Sequence, residues 1–413
     1  MPLSQPAGLN LRAGHIVNGG PSHVNCGCTH ANRIFTVFGG FAKGDKVVVG
    51  HNRFSIGRLV LMQSANHQPL MKYFQYNFAM AMKVLYLGGT GEVSYGCIEA
   101  GLQLGQEISI YNRGSSGITL PRGAKHISGD VTDEPALRSI AGQKWDAVCQ
   151  FRSFDLAQCE RDIRAFAGNV GQFVFISTAM VYQRPPTKLP VTESAPRGNP
   201  HSPEYAQKKI VIEDRLMEVH RSGKMPVTIV RPSHTIRTRL VSAFAGDDEM
   251  AWRMLNGKPI IVHGDGSSLW AVTRTEDFGR AFAKLLGNPK AMGEAFHITT
   301  DRLYPWDAIY QETARLLGAP EPKLVHVASD MLVRYEPKWA GSLHADKTWS
   351  MIFDNSKVKT AVGSWECRHD LPEALTMSLP HAKARLAKFT PDAKLGALMD
   401  RIVAEQTRGG LTA

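Results

Sequence analysis

The chain has 413 residues, 43% of them hydrophobic, enough for one large or two moderate domains with real cores. It shows no uninterrupted apolar stretch of membrane-spanning length and no basic-then-apolar leader, so the expectation is a soluble cytoplasmic protein with no membrane partner. The net charge of +11 points to nucleic acid only until it is localised: residues 1–81 hold seven Lys or Arg against one acid, Asp45, and so carry +6, leaving +5 for residues 82–413.

Residues 1–81 also contain five of the fifteen histidines, many glycines and no sustained hydrophobic period, and they stop just before Met82 and the first clear strand. Three expectations stay open for this extension: a region upstream of the native start, an acid-poor targeting peptide, or a disordered nucleic-acid-binding arm. Lys46–Gly50 has the composition of a short local strand. The six cysteines, at 26, 28, 97, 149, 159 and 367, lack metal-ligand spacing, because Cys26-Gly27-Cys28 is too tight for zinc; reduced thiols and no metal site are expected.

From residue 82 the pattern alternates between strand and helix. Val84–Leu87 reads as a short buried strand, and Gly88, Gly89, Thr90 and Gly91 follow as a tight turn in which backbone can approach a diphosphate without Cβ clashes. Glu92 and Val93 open a helix over 92–104, whose free N–H groups and dipole would face that anion. Strand, turn and helix together form a dinucleotide-binding fingerprint, with Ser94 at the third glycine position and Glu92 as a carboxylate able to repel the diphosphate.

A second strand, 107–111, runs into Asn112-Arg113, where an NAD-binding chain would place an acid for the ribose. A guanidinium there suits the 2′-phosphate of NADP, which is favoured over NAD. After a strand at 124–127 come Asp130 and Val131; Asp130 is placed either to meet adenine or to cap the following helix. Helix 134–141, strand 146–150, helix 156–168 and strand 172–176 complete a parallel sheet covered on both faces, with ligand at the carboxyl ends. The proline-rich stretch 184–190 then reads as a surface loop, followed by a long helix from Tyr205 to about Ser222 and a strand at 227–231. Beyond 235 the order loosens into a smaller α/β lobe, with helices at 247–256, 276–286, 305–317 and 371–387 and a strand pair within 258–275 around the turn 263–267. The divisions are therefore 1–81, a nucleotide-binding domain at 82–235, a substrate lobe at 236–390 interleaved with the last strands, and a tail at 391–413.

Ser177 and Thr178 leave strand 172–176 at its carboxyl end, beside the expected cofactor. Tyr205 and Lys209 are one helical turn apart and share a face. A phenol is a poor base at neutral pH, and an adjacent ammonium stabilises its anion. Tyr205 would then exchange a proton with a substrate hydroxyl or carbonyl while Thr178 orients the same oxygen; Lys209 would also hold the cofactor ribose. His234, Arg237, Arg239, His263, Trp270 and Arg274 are pocket candidates at the lobe junction, the arginines suited to a diphosphate or another acid.

Gly88-Gly-Thr-Gly91, Gly129-Asp130, Ser177-Thr178 with Val181-Tyr182, Tyr205 to Lys209, Arg231-Pro-Ser233, and Gly264-Asp-Gly266 followed by Asp277 resemble the extended short-chain dehydrogenase/reductases, in particular the NAD-dependent epimerase/dehydratase group, over about residues 82–390. The resemblance implies a Rossmann-type doubly wound parallel sheet with a C-terminal substrate lobe, a Thr178/Tyr205/Lys209 triad, sugar-nucleotide or related substrates, and a homodimer paired through helices that include the one bearing Tyr205. Two departures stand out: Ala179-Met180 replaces the Asp-Glu of dehydratases, and Gln150-Phe-Arg-Ser153 replaces an alanine-rich segment on the nicotinamide side. Asn112-Arg113-Gly114 and Asp354-Asn-Ser-Lys357 resemble a branch that includes the chloroplast stem-loop-binding proteins, whose members bind RNA. The expectation is an NAD(P)-dependent oxidoreductase or epimerase acting on a hydroxyl or keto group, with an RNA-binding protein on the same fold as the alternative.

Overall fold

The structure, a computed structural model, describes residues 56–60, 73–77, 81–202 and 204–408. The chain divides into a unit of residues 1–80 and a compact unit of residues 81–413. In the first, β1 (Ile56–Val60) and β2 (Tyr73–Asn77) pair antiparallel with Ile56 opposite Asn77. The strand expected at Lys46–Gly50 lies outside the described residues. Among the described residues no helix is long and apolar enough to cross a membrane.

The second unit begins with β3 (Lys83–Leu87), α1 (Ser94–Gln103), β4 (Glu107–Asn112), β5 (Lys125–Ser128), α2 (Glu134–Ala141), β6 (Ala147–Gln150), α3 (Leu156–Phe166), β7 (Phe173–Ile176), α4 (Tyr205–Arg221) and β8 (Val227–Pro232). It continues with β9 (His234–Ile236), α5 (Asp247–Leu255), β10 (Ile260–His263), β11 (Leu269–Trp270), β12 (Val272–Arg274), α6 (Thr275–Leu285) and β13 (Glu294–Ile298). β14 (Tyr304–Pro305), α7 (Trp306–Leu317), β15 (Leu324–Val327), α8 (Ser329–Tyr335), α9 (Ser356–Val362), α10 (Leu371–Leu386) and α11 (Ala393–Arg408) complete it.

Seven strands form one parallel sheet in the order β13-β8-β7-β6-β3-β4-β5. Val84, Leu85, Tyr86 and Leu87 are fully buried because both faces of this central strand are covered, which makes the segment uniformly apolar rather than alternating. Val84 and Tyr86 join Cys97, Ile98, Phe278 and Phe282 beneath α1 and α6, whereas Leu85 and Leu87 join Leu137, Phe166, Phe175 and Leu216 beneath α2, α3 and α4. Asp133 and Asp155 start α2 and α3 by accepting from Ala136 N (3.1 Å) and Gln158 N (2.8 Å). Asp130, expected to meet adenine or cap α2, instead accepts from the Thr132 backbone and hydroxyl, both at 2.8 Å.

α1 and α6 approach most closely at Gly96 and Gly279. A Cβ at Gly96 would lie 2.3 Å from the Thr275 carbonyl oxygen, and one at Gly279 would lie 2.1 Å from that of Gly96. β13 follows β9–β12 in sequence but pairs with β8 at the edge of the seven-stranded sheet.

The second lobe has its own core, including Trp270, Trp306, Ile309, Tyr310 and Leu375. Strands do form within 258–275, but they do not pair with one another. β10 lies parallel to β15, β11 antiparallel to β14 and β12 parallel to β9. Gly264 and Gly266, both at positive φ, turn the chain toward a different neighbour instead of reversing it into a hairpin. Within the expected tail, α11 buries Met399 and Ile402 completely in this core.

Candidate active site

Gly88 (φ +110°) and Gly89 (φ +94°) take the left-handed backbone that the turn after β3 requires, and a Cβ at Gly89 would lie 2.7 Å from Ile110 Cγ2. Asn112 braces this turn. Its Nδ2 donates to the Gly88 carbonyl (2.7 Å) and its Oδ1 accepts from Gly114 N (2.8 Å). Ser94 Oγ accepts from Gly91 N at 3.0 Å, which withdraws one amide from any anion, and the Val93 carbonyl accepts from the Thr275 hydroxyl at 3.1 Å.

Glu92 does not confront a diphosphate. Its carboxylate turns into the second lobe and accepts from the backbone N–H of Arg237 (2.7 Å) and Thr238 (2.8 Å) and from the Thr238 hydroxyl. Burial works to raise its pKa, but these hydrogen bonds outweigh burial and hold the carboxyl below its ordinary range.

At the carboxyl ends of the strands lies a cavity of about 390 Å³, lined by Gly88, Thr90, Asn112, Arg113, Ser115, Ser116, Asp130, Val131 and Arg152, among others. Arg113 is well exposed and stands 3.9 Å from Asp130. The Thr132 hydrogen bonds, with a smaller contribution from Arg113, hold Asp130 below the usual carboxylate range. Ser177 is buried and its hydroxyl oxygen has no partner. A glycine turn, hydroxyls, two guanidiniums and an orphaned hydroxyl along one line of strand ends fit a dinucleotide.

Thr178 ends the sheet side of the site, its Oγ1 accepting from Met180 N at 3.2 Å. Tyr205, the first residue of α4, is 44% exposed, and α4 packs against the 179–181 segment that Thr178 caps. Burial pushes the phenol above its ordinary pKa, the polar Thr178 side chain pulls it down, and the nearby Asp346 charge pushes it up again. Lys209 is 3% exposed and sits differently from the expectation of direct pairing with the phenol. Its Nζ donates to the carbonyls of Ser153 (2.9 Å) and Ile176 (3.0 Å) and lies 5.0 Å and 4.6 Å from the ring centres of Phe154 and Phe175. Desolvation in this cage lowers its pKa to about 8 against the opposing charge of Glu213. Two buried pairings fix α4 to the sheet: Arg231 Nε and Nη2 meet the two Glu213 oxygens at 2.9 Å and 2.7 Å.

The pocket candidates divide. Arg239 pairs with Asp247 and Asp248, and Arg274 with Glu276, so protein partners occupy both. Arg237 stacks on Tyr95, 4.2 Å from the ring centre. His234 packs edge-on against Trp270, and the His263 Nε2 lies 2.8 Å from the Lys347 carbonyl. Burial lowers both imidazoles to about 4, so both are neutral at pH 7.

Two groups escaped the sequence reading. Buried Arg184 donates to the Ala179 carbonyl (3.2 Å) and stands 3.6 Å from Asp346, while Asn199 Nδ2 bridges the carbonyls of Met180 (3.2 Å) and Ala345 (2.6 Å). Together they fasten the 343–347 turn beside Thr178 and bring the Asp346 charge to bear on Tyr205. No local motif marks that turn. Arg152 is the other, and its place in a segment already marked as unusual was the available signal.

Residues 84–299, just over half the chain, match the family model described as the NAD dependent epimerase/dehydratase family. The chain is 26% identical over 334 residues to 2′-dehydrokanamycin reductase of Streptomyces kanamyceticus, spanning 80% of this chain and 93% of that protein. It is 25% identical over 333 residues to the chloroplast stem-loop binding protein of 41 kDa b of Arabidopsis thaliana, spanning 76% and 82%. An epimerase of Methanothermobacter thermautotrophicus shares the fold with a TM-score of 0.62 at 17% identity, over 76% of this chain and 96% of that one. With its seven-stranded parallel sheet and glycine turn, this chain belongs to the NAD-dependent epimerase/dehydratase family.

Proposed function

We propose that the protein is an NAD(P)-dependent oxidoreductase or epimerase acting on a hydroxyl or keto group of a sugar-nucleotide-like substrate. The observation that carries this reading is the packing of α4, which Tyr205 opens, against the segment capped by Thr178, at the carboxyl edge of the sheet and near the cavity behind the glycine turn. A bound nicotinamide would supply or accept the hydride. Tyr205, with its pKa raised, is protonated at neutral pH and is set to give its proton to a carbonyl oxygen, or to take one back in the reverse direction. Thr178 orients that oxygen. Lys209 ties the Ser153 and Ile176 carbonyls together at the carboxyl end of β7.

NADP is favoured over NAD. Arg113 lines the cavity, and at 3.9 Å its contact with Asp130 is too long for a hydrogen bond, which leaves the guanidinium able to take a 2′-phosphate. The reductase named for 2′-dehydrokanamycin supports reduction of a sugar-like carbonyl. The proposal includes a cytoplasmic homodimer packed through α4, as the family resemblance implies. The nucleic-acid role named for the Arabidopsis relative is less favoured, because residues 82–413 carry only +5 and the Thr178–Tyr205 pair would stand idle.

The test is to incubate the purified protein with NADPH or NADH and a panel of keto sugars and nucleotide hexoses, and to identify products by mass spectrometry and NMR. The expected outcome is a reduced product with cofactor consumed, or an epimer with cofactor unchanged. Absence of both, with no cofactor bound, would contradict the assignment.

A further inference from the structure

The segment after β6 departs from the family pattern, and its geometry gives the departure a purpose. The Arg152 side chain lies across the glycine turn, its Cγ 3.0 Å from where a Cβ of Gly88 would be. Its guanidinium stands 5.5 Å from the Phe154 ring centre, and Phe154 in turn lies 5.0 Å from Lys209 Nζ. Residues 152–154 therefore run from the glycine turn to Lys209, alongside the path a dinucleotide would follow. Arg152 is exposed, lines the cavity, and makes no side-chain hydrogen bond or ion pair among the described residues.

The backbone that presents Arg152 is unusually well anchored. Its N–H donates to Gln150 Oε1 (2.6 Å), and buried Gln150 donates to buried Asp162 (2.8 Å). Phe151 stacks on Tyr86 with ring centres 5.8 Å apart and meets Phe282 at 6.0 Å. A buried amide, a buried carboxyl and a packed ring thus hold one exposed cation over one glycine.

The helix end beneath it has less to offer an anion than a glycine turn normally does. Ser94 takes the Gly91 N–H, and the regular helix begins only at Ser94.

Resting on the nucleotide-cofactor reading above, we propose that Arg152 is a cofactor-binding residue whose guanidinium pairs with the diphosphate common to NAD and NADP, while Arg113 takes the 2′-phosphate. The two cations then have separable signatures. Arg152 sets affinity for both cofactors, and Arg113 sets the preference between them.

Fluorescence titration of NADPH and NADH into the unsubstituted protein, Arg152→Met, Arg152→Lys and Arg113→Ala tests this. Arg152→Met keeps the stem over Gly88, and an unchanged thermal midpoint shows that the fold is intact. The expected result is a rise in Kd of about ten-fold or more for both cofactors in Arg152→Met, the size of one lost charge-assisted bond. Their ratio should stay unchanged, with partial recovery in Arg152→Lys. Arg113→Ala should weaken NADPH alone. Unaltered affinities in Arg152→Met, or loss confined to NADPH, would overturn the assignment. Failure of the unsubstituted protein to bind either cofactor would instead overturn the functional reading on which it rests.

Discussion

Lys209 offers a perturbation whose size follows from the structure. Its cage lowers the ammonium pKa from 10.5 to about 8. A tenfold change in proton affinity is worth about 1.4 kcal/mol, so the cage destabilises the charged form by about 3 kcal/mol. Below pH 8 both folded and unfolded chains hold the proton, and that cost is fully present. Between about 8 and 10.5 the folded chain has released a proton that the unfolded chain still binds, so stability from this group rises with pH. Lys209→Met removes the titration and keeps most of the stem. Denaturant unfolding of both proteins at pH 7 and near pH 10 cancels every other titrating group. The natural protein should gain about 2.5 kcal/mol over the variant across that interval. Parallel pH dependences would refute the buried ammonium. In the active range the same titration should make kcat/KM fall above about pH 8, as the bonds to Ser153 and Ile176 lose their charge.

Tyr205→Phe should lower kcat by about 10²–10⁴ while cofactor Kd stays unchanged, since it removes one positioned proton donor and nothing that meets the dinucleotide; steady-state kinetics beside a binding titration would show the split. Gly96→Val should cost about 1–3 kcal/mol, read as a lower thermal midpoint, because even its Cβ would lie 2.3 Å from the Thr275 carbonyl and force α1 away from α6. Arg231→Leu leaves buried Glu213 with Arg197 as its remaining cation and should cost about 1–3 kcal/mol in a denaturant titration.

Much of the nucleotide-binding half was legible because its signals are local. Apolar runs bounded by glycine, proline or capping aspartates marked most elements from β3 to β8 within a residue or two, and the order of strands and helices implied the parallel sheet. Pairing in the second lobe was not legible. The partners of β10, β11 and β12 are set by contacts far along the chain, and a Gly-Asp-Gly turn looks like a hairpin whether or not the strands meet. α11 carried an apolar spacing at Leu395, Met399, Ile402 and Val403, but its position after the last motif disguised it as a tail.

The site divides in the same way. Thr178 stands at the end of β7 and Tyr205 at the start of α4, yet the spacing from Tyr205 to Lys209 says nothing of the two carbonyls that hold Lys209. Glu92 was read as a charge facing the cofactor because sequence gives a position in the turn but not a direction. Asp346 is held near Tyr205 by the Arg184 and Asn199 contacts to its segment, a connection spanning more than a hundred residues and marked by no motif.

The most direct test of the catalytic reading is a crystal structure with NADPH bound. The diphosphate should lie between the glycine turn and Arg152, and the nicotinamide beside Thr178 and Tyr205 with Lys209 toward its ribose. A cofactor bound elsewhere, or a Tyr205 phenol directed away from the nicotinamide, would contradict the proposed chemistry.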